Sequence, residues 1–475
     1  MLFNSPAFAA FLVAAFASFW IHEWWSAGST GVRNRRNLLI IALSYVFYGW
    51  WDVRFLGLIV VSSAVDFAVG LRLEQTTGHY WRRCWLGLSL VVNLGVLETL
   101  KYFDFFLESA AAIVRSLGGS PSPMSLNLIL PVGISFYTLQ TLGYTIDVYR
   151  RSIPASRDPW AFFAFVAFFP QLVAGPIERA DKLLPQFGRE RITFREEAAR
   201  DATRLILWGM VKKVVVADTC GVYADDIFGR EVASATTRIL GAVYFGFQIY
   251  GDFSGYSDIA IGTARLFGFD LMRNFDHPYR STSLSEFWTR WHRSLSFWFR
   301  DYLYIPLGGS RRGPIRTLRN LLVVFVVSGL WHGAAWNFVL WGLVHGVAVC
   351  LERLWSRTGI PARMNRVART VIGWGWTMGV VFGCWVLFRC GDPNQCRRVF
   401  VDMMSFDSFG KPDASLFGLL YVGMLVAADG WSGRAEQPID PKTWPVVVRW
   451  SAYLIAAVAV LGHFRPLSSF IYFQF

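Results

Sequence analysis

Long stretches of the chain carry almost no charge, and short clusters of arginine separate them. Residues 8–21, 38–71, 84–144, 240–261, 321–330, 338–351, 371–387, 415–428 and 446–463 are the apolar runs. Runs of this length read as helices in an apolar solvent. Two of them turn back on themselves: 38–71 around Trp50-Trp51-Asp52, and 84–144 around the Gly/Ser/Pro stretch 118–123. The basic clusters are Arg33/Arg35/Arg36, Arg72/Arg82/Arg83, Arg150/Arg151/Arg157, residues 179–204, Arg311/Arg312/Arg316/Arg319 and residues 353–369. All are cytoplasmic by the positive-inside rule, which places the first residues outside. Run 8–21 has neither a basic flank before it nor a small-residue cleavage site after it, so it is expected to stay as a first span. Residues 160–174 lie between two clusters of the same side and are too short to cross twice. They are expected to be re-entrant or interfacial.

Composition removes the competing classes. Of 475 residues, 54% are hydrophobic and only 17% charged, with 41 Phe and 22 Trp, which leaves too little charge for a water-facing surface. The fold class is therefore all-α and polytopic: about ten to twelve transmembrane helices with re-entrant and interfacial amphipathic helices around a central site. The net charge of +13 sits beside apolar spans rather than on one soluble face, so no nucleic-acid partner is expected. Cys84, Cys220, Cys350, Cys384, Cys390 and Cys396 show no paired metal spacing, although Cys390 and Cys396 are close enough in sequence to bridge.

Chemistry enters where polar residues interrupt the apolar pattern. In Ser328-Gly329-Leu330-Trp331-His332-Gly333-Ala334-Ala335-Trp336-Asn337, a histidine joins two uncharged half-length segments, and His332 is expected at membrane depth. Glycines 329, 333 and 342 allow close backbone approach around it. Asp252, Ser254 and Asp258 interrupt run 240–261 between Gly251 and Gly255, which predicts a bend or a close contact and polar groups facing protein or a wet cavity. Lys212-Lys213 suggests an amphipathic start at the interface. In residues 286–302, Trp288, Trp291, His292, Leu295, Trp298, Phe299 and Tyr302 fall on one stripe at about 100° per residue, with Arg290, Arg293 and Arg300 opposite. One amphipathic helix is expected there, with His292 turned inward. Ile305-Pro306-Leu307-Gly308-Gly309 ends it.

Several stretches in this order resemble the membrane-bound O-acyltransferases, and in particular the alginate O-acetylase branch of bacterial polysaccharide acetylases. They include Lys101-Tyr102-Phe103-Asp104-Phe105-Phe106, Leu130-Pro131-Val132-Gly133, Gln171-Leu172-Val173-Ala174-Gly175-Pro176, Asn274-Phe275-Asp276, Trp291-His292, residues 328–337 and the terminal residues 470–475. The resemblance covers most of residues 1–350 and thins beyond Val371, where further transmembrane helices (371–475) complete a single domain. It implies that His332 is the catalytic histidine and His292 the second histidine of the site. It implies acetyl-CoA as donor with no bound cofactor or metal, an exported polysaccharide and a periplasmic acetylase as partners, and a multi-pass place in the bacterial inner membrane. Alginate, cellulose, peptidoglycan and other envelope glycans all remain acceptors under it.

Acyl transfer from a thioester to a sugar hydroxyl needs a base, and a neutral imidazole is suited to that near pH 7. Trp331, Trp336 and Asn337 are the candidates for orienting the ring or holding an oxyanion. Arg290, Arg293, Arg300, Arg311 and Arg312 are candidates for the donor phosphates. Two rival readings remain. A transporter would also use interrupted helices and buried aspartates. A zinc site at His292 and His332 lacks a paired ligand motif.

Overall fold

A computed structural model describes residues 1–26, 30–121, 125–405, 409–433, 444–465 and 470–471. Residues 122–124, which include the end of the turn expected at 118–123, and the terminal 472–475 lie outside the described residues. Every extended regular element described is helical, as expected of a chain that must satisfy its backbone polar groups internally. Seven described stretches are long and apolar enough to cross a membrane: Pro6–Trp25, Val53–Gln75, His79–Ser116, Pro314–His332, Trp336–Arg357, Arg366–Arg389 and Val446–His463. At 1.5 Å per residue, each covers a hydrocarbon core of about 30 Å. The chain is a multi-pass membrane protein. Residues such as Val447, Leu454, Ile455 and Leu461 on the last of these helices are exposed, as lipid-facing side chains are.

The chain folds as two compact units, one of residues 3–199 with 263–272, the other of residues 200–262 with 273–475. The first unit holds α1 (Pro6–Trp25), α2 (Val32–Gly49), α3 (Leu56–Gln75), α4 (His79–Leu97), α5 (Phe103–Ser116), α6 (Ile134–Tyr149), α7 (Pro159–Ala167), α8 (Phe169–Leu172) and α9 (Ala180–Phe187). Local sequence sets their starts. Ser5 and Asp158 accept from the backbone N–H groups of Phe8 and Ala161, and a proline follows each cap. Gly133 precedes α6 at φ +79°, and a Cβ there would meet the Leu172 carbonyl oxygen at 2.7 Å, so only glycine fits.

Segment 160–174 is two short helices buried in protein. Its helices are nine and four residues long, and Phe162, Phe165, Phe168 and Phe169 are at most 1% exposed. Two arginines expected only as orientation signals are structural. Buried Arg82 donates to the carbonyls of Leu73 and Tyr149, near the C-terminal ends of α3 and α6, and buried Arg36 donates to Phe187 and Arg189. Each arginine fills helix-end or loop acceptors that would otherwise lie buried and empty.

The second unit holds most of α10 (Glu196–Met210), then α11 (Asp218–Gly229), the bulk of α12 (Ala235–Leu266), α13 (Leu284–Arg290), α14 (Arg293–Phe299), α15 (Pro314–His332), α16 (Trp336–Arg357), α17 (Ile360–Arg363), α18 (Arg366–Arg389), α19 (Pro393–Met404), α20 (Gly418–Ser432) and α21 (Val446–His463). Here α12 runs unbroken for 32 residues through Asp252 and Asp258. The glycines beside the aspartates are contact points rather than a bend. A Cβ on Gly255 would meet the Gly209 carbonyl oxygen at 2.6 Å, and one on Gly251 would meet that of Lys212 at 2.9 Å. Lys212 and Lys213 do not face a surface, as an amphipathic start would have them do. Both are 5% exposed, within a π-helical turn, Val211–Ala217, packed on α12.

Candidate active site

The hairpin of α15 and α16 carries His332. A Cβ on Gly329 would collide with the Phe338 carbonyl oxygen, and one on Gly342 with that of Phe325, so small residues set how closely the two backbones pack. Both helices are longer than their uncharged cores suggest, at 19 and 22 residues, because their charged ends are helical too. His332 is therefore the last residue of a helix long enough to span, rather than the end of a half-length one. It is 4% exposed, and protein covers it. Its ring meets Trp331 and Trp341 edge-on at 5.0 Å each and Phe388 at 5.5 Å.

His292 reaches the same place by a route the periodicity missed. The helix expected over residues 286–302 breaks after Arg290, and His292 adopts φ +41°, a left-handed conformation costing on the order of 1 kcal/mol for a non-glycine residue. Neighbouring chain replaces the helical hydrogen bonds. The Asn274 carbonyl accepts from Arg293 N–H at 2.9 Å, Asp276 N–H donates to the Arg290 carbonyl at 2.9 Å, and Asn274 Oδ1 accepts from both the N–H and the hydroxyl of Ser294. The break turns His292 inward at 1% exposure, its ring 4.7 Å from Phe253 and 5.8 Å from Trp331. Burial pushes its imidazole down to about 3, which keeps it neutral. Trp331 thus lies against both histidines.

The other expected site residues divide. Trp336 is 60% exposed, outside the buried cluster. Asn337 Nδ2 donates to the carbonyls of Leu387 at 3.2 Å and Cys390 at 3.0 Å, tying the start of α16 to the end of α18. Asp252 pairs with Lys213 at 2.8 Å and accepts from Ile471 N–H, Lys213 also pairs with Asp218, and Asp258 pairs with Lys212 at 2.6 Å. Ser254, fully buried, lies between the two aspartates on the same helix. This stretch is a buried ionic network, so its aspartates are neutralised where they stand.

Arg290 pairs with Glu286 at 2.7 Å and lines a cavity of about 330 Å³ with Asp276, Arg280 and Gly433. Arg300 pairs with Asp301, while Arg293 and Arg300 lie over the Phe297 ring. Arg311 and Arg312 are exposed in the turn before α15, and neither forms an ion pair among the described residues. Cys390 and Cys396 stand in thiol contact but are not bridged. Among the described residues no three His, Cys, Asp or Glu side chains group as metal ligands.

Sequence reasoning placed Trp288 on the aromatic stripe but overlooked Trp341 and His345. His345 gave the same signal as His332, a histidine inside an apolar run, and its i+4 spacing from Trp341 places both on one face of α16. It is 1% exposed and packs 4.8 Å from Trp341 and 5.0 Å from Trp288.

Comparison with known proteins explains why these stretches come together. A family model of the membrane-bound O-acyltransferases matches residues 148–387. The chain is 40% identical over 398 residues to "Probable alginate O-acetylase AlgI" of Azotobacter vinelandii, covering 82% of this chain and 78% of that one. It is 38% identical over 472 residues to the protein of the same name from Pseudomonas putida, covering 93% and 95%. It is also 34% identical over 438 residues to the peptidoglycan O-acetyltransferase of Helicobacter pylori, covering 86% and 80%. The matched region includes the broken helix with His292, the α15–α16 hairpin with His332, and the buried Lys–Asp network. The chain belongs to the membrane-bound O-acyltransferase family and is an O-acyltransferase.

Proposed function

We propose that this enzyme takes the acetyl group of acetyl-CoA at the cytoplasmic face of the bacterial inner membrane and passes it toward hydroxyls of an exported polysaccharide. A periplasmic acetylase is its partner in delivery. The observation that carries this reading is the pair of buried histidines, His292 and His332, packed on the same indole of Trp331. His332 acts as general base. It accepts the proton of the attacking hydroxyl as the carbon–oxygen bond forms, then returns it to the thiolate of CoA as the carbon–sulfur bond breaks. His292, neutral and held by the Asn274 contacts, orients the reacting groups. Trp331 is the best placed of the three candidates for orienting groups, since Trp336 is exposed and the Asn337 amide is already engaged. Arg311 and Arg312, exposed and without carboxylate partners among the described residues, are suited to the donor phosphates. Arg290, Arg293 and Arg300 complete the basic set, the first and last paired with Glu286 and Asp301.

The names of the similar proteins favour an alginate-type exopolysaccharide as final acceptor. Peptidoglycan is the second reading, favoured by the similarity to the Helicobacter pylori transferase. The test supplies labelled acetyl-CoA to membranes holding the wild type or His332→Ala. Label should move to polymer or partner only with the wild type. Transfer by the alanine variant at normal abundance, or flux of a solute without transfer, would overturn the reading.

A further inference from the structure

Beside His332 lies a second cluster whose polar atoms have no visible use. Trp288, Trp341 and His345 form a triangle of edge-to-face rings, with centroids 5.6 Å apart for Trp288–Trp341, 4.8 Å for Trp341–His345 and 5.0 Å for Trp288–His345. Phe325 closes one side at 6.2 Å. Both ring nitrogens of His345 and the indole nitrogens of Trp288 and Trp341 are buried and have no hydrogen-bond partner among the described residues. Four orphaned nitrogens in one place is an unusual concentration, because buried polar groups are nearly always satisfied by protein or by a bound guest. A histidine kept only to fill space would be better replaced by phenylalanine, which removes the orphan atoms at similar volume. Trp341 links the triangle to the reaction: one of its contacts is His345, another is the His332 ring at 5.0 Å.

We propose that His345 is a positioning residue for acyl transfer, whose ring nitrogens bind an oxygen-bearing guest and so fix Trp341, and through it the imidazole of His332. The guest is a water molecule, whose oxygen lone pairs accept from the buried N–H donors. The chain places this polar group within α16, about two and a half turns beyond the start of the helix and one turn beyond Trp341. Its ring lies 4.8 Å from that of Trp341 and so acts on the reaction through Trp341. This inference rests on the assignment of His332 as base, and its test separates the two.

Purified protein is assayed for acetyl transfer with donor concentration varied, alongside abundance in membranes and thermal unfolding. His345→Phe keeps the ring stack and removes the nitrogens. It should fold as well as the wild type while kcat falls tenfold or more and KM for acetyl-CoA changes less than threefold. His345→Gln, which restores a polar tip, should recover at least a third of wild-type kcat. Near wild-type kcat for a folded His345→Phe protein would show that the ring merely packs. Should His345→Phe fail to accumulate, His345→Gln decides: wild-type-like turnover supports the polar role, and a hundredfold loss in a folded protein overturns it. His332→Ala runs in parallel. An inactive His332→Ala with an active His345→Phe removes this inference alone, whereas an active His332→Ala removes the function on which it rests.

Discussion

Two buried polar clusters, one in each unit, are built on opposite terms. In the first unit Asp66 of α3 is fully buried, and its carboxylate accepts from Ser89 Oγ, from Asn93 Nδ2 at 2.9 Å and from Thr145 Oγ1 at 3.0 Å. Ser62 adds a contact to Asn93 at 2.6 Å. These bonds lash α3 to α4 and α6. In the second unit, the triangle of Trp288, Trp341 and His345 leaves four nitrogens without protein partners among the described residues. The first cluster completes its own hydrogen bonds and serves stability. The second keeps hydrogen-bonding capacity beside His332, the base proposed for the reaction. A buried polar group is thus informative less by its presence than by whether the fold has already spent it.

The largest expected effect breaks the comparison at its functional end. His332→Ala should lower acetyl transfer by roughly 10²- to 10⁴-fold, the range for a lost general base, with unfolding temperature and abundance unchanged. His292→Ala should lose less if it orients rather than abstracts; a fall in abundance that tracks the fall in activity would assign it to the fold. Asp66→Ala should behave the other way round. Several donors are left buried and unsatisfied, a cost on the order of 3 kcal/mol, so detergent-purified protein should melt roughly 5 °C lower or more. Activity per folded molecule should hold. An Asp66→Ala protein of normal stability but no activity would reverse the roles assigned to the two clusters.

A smaller effect concerns the donor. Arg311→Ala with Arg312→Ala should raise KM for acetyl-CoA several-fold more than it lowers kcat, as loss of ground-state binding does. Equal KM values, or cysteine labelling that places position 311 on the periplasmic side, would remove both the donor site and the topology behind it.

The last effect is on stability against pH. Glu178 of the first unit is buried, accepts from Met272 N–H at 2.6 Å, and burial pushes its carboxyl up to about 8 from an ordinary 4.5. The folded state therefore holds a proton that the unfolded state releases. The resulting stabilisation is complete below pH 4.5 and is lost as pH rises to about 8. Glu178→Gln should flatten the melting temperature between those limits; an unchanged slope would show that other groups set it.

The sequence by itself determined the all-helical membrane class and the helical hairpins, and it singled out His332, because apolar run length, capping residues and a histidine in an apolar run are local properties. Trp50–Asp52 joins two helices as its composition required, and Pro314–His332 and Trp336–Arg357 are spans because their residues are apolar. What only the tertiary structure decided depends on partners far away in the chain. The 286–302 stripe fitted one helix, but backbone bonds from Asn274 and Asp276 broke it and turned His292 inward. Lys212 and Lys213 read as an interface until α12 supplied Asp258 and Asp252. Gly251 and Gly255 read equally well as a bend or a contact, and the backbone they approach chose the contact. Periodicity counts residues along one helix, whereas whether a polar atom is satisfied depends on which other segment arrives beside it.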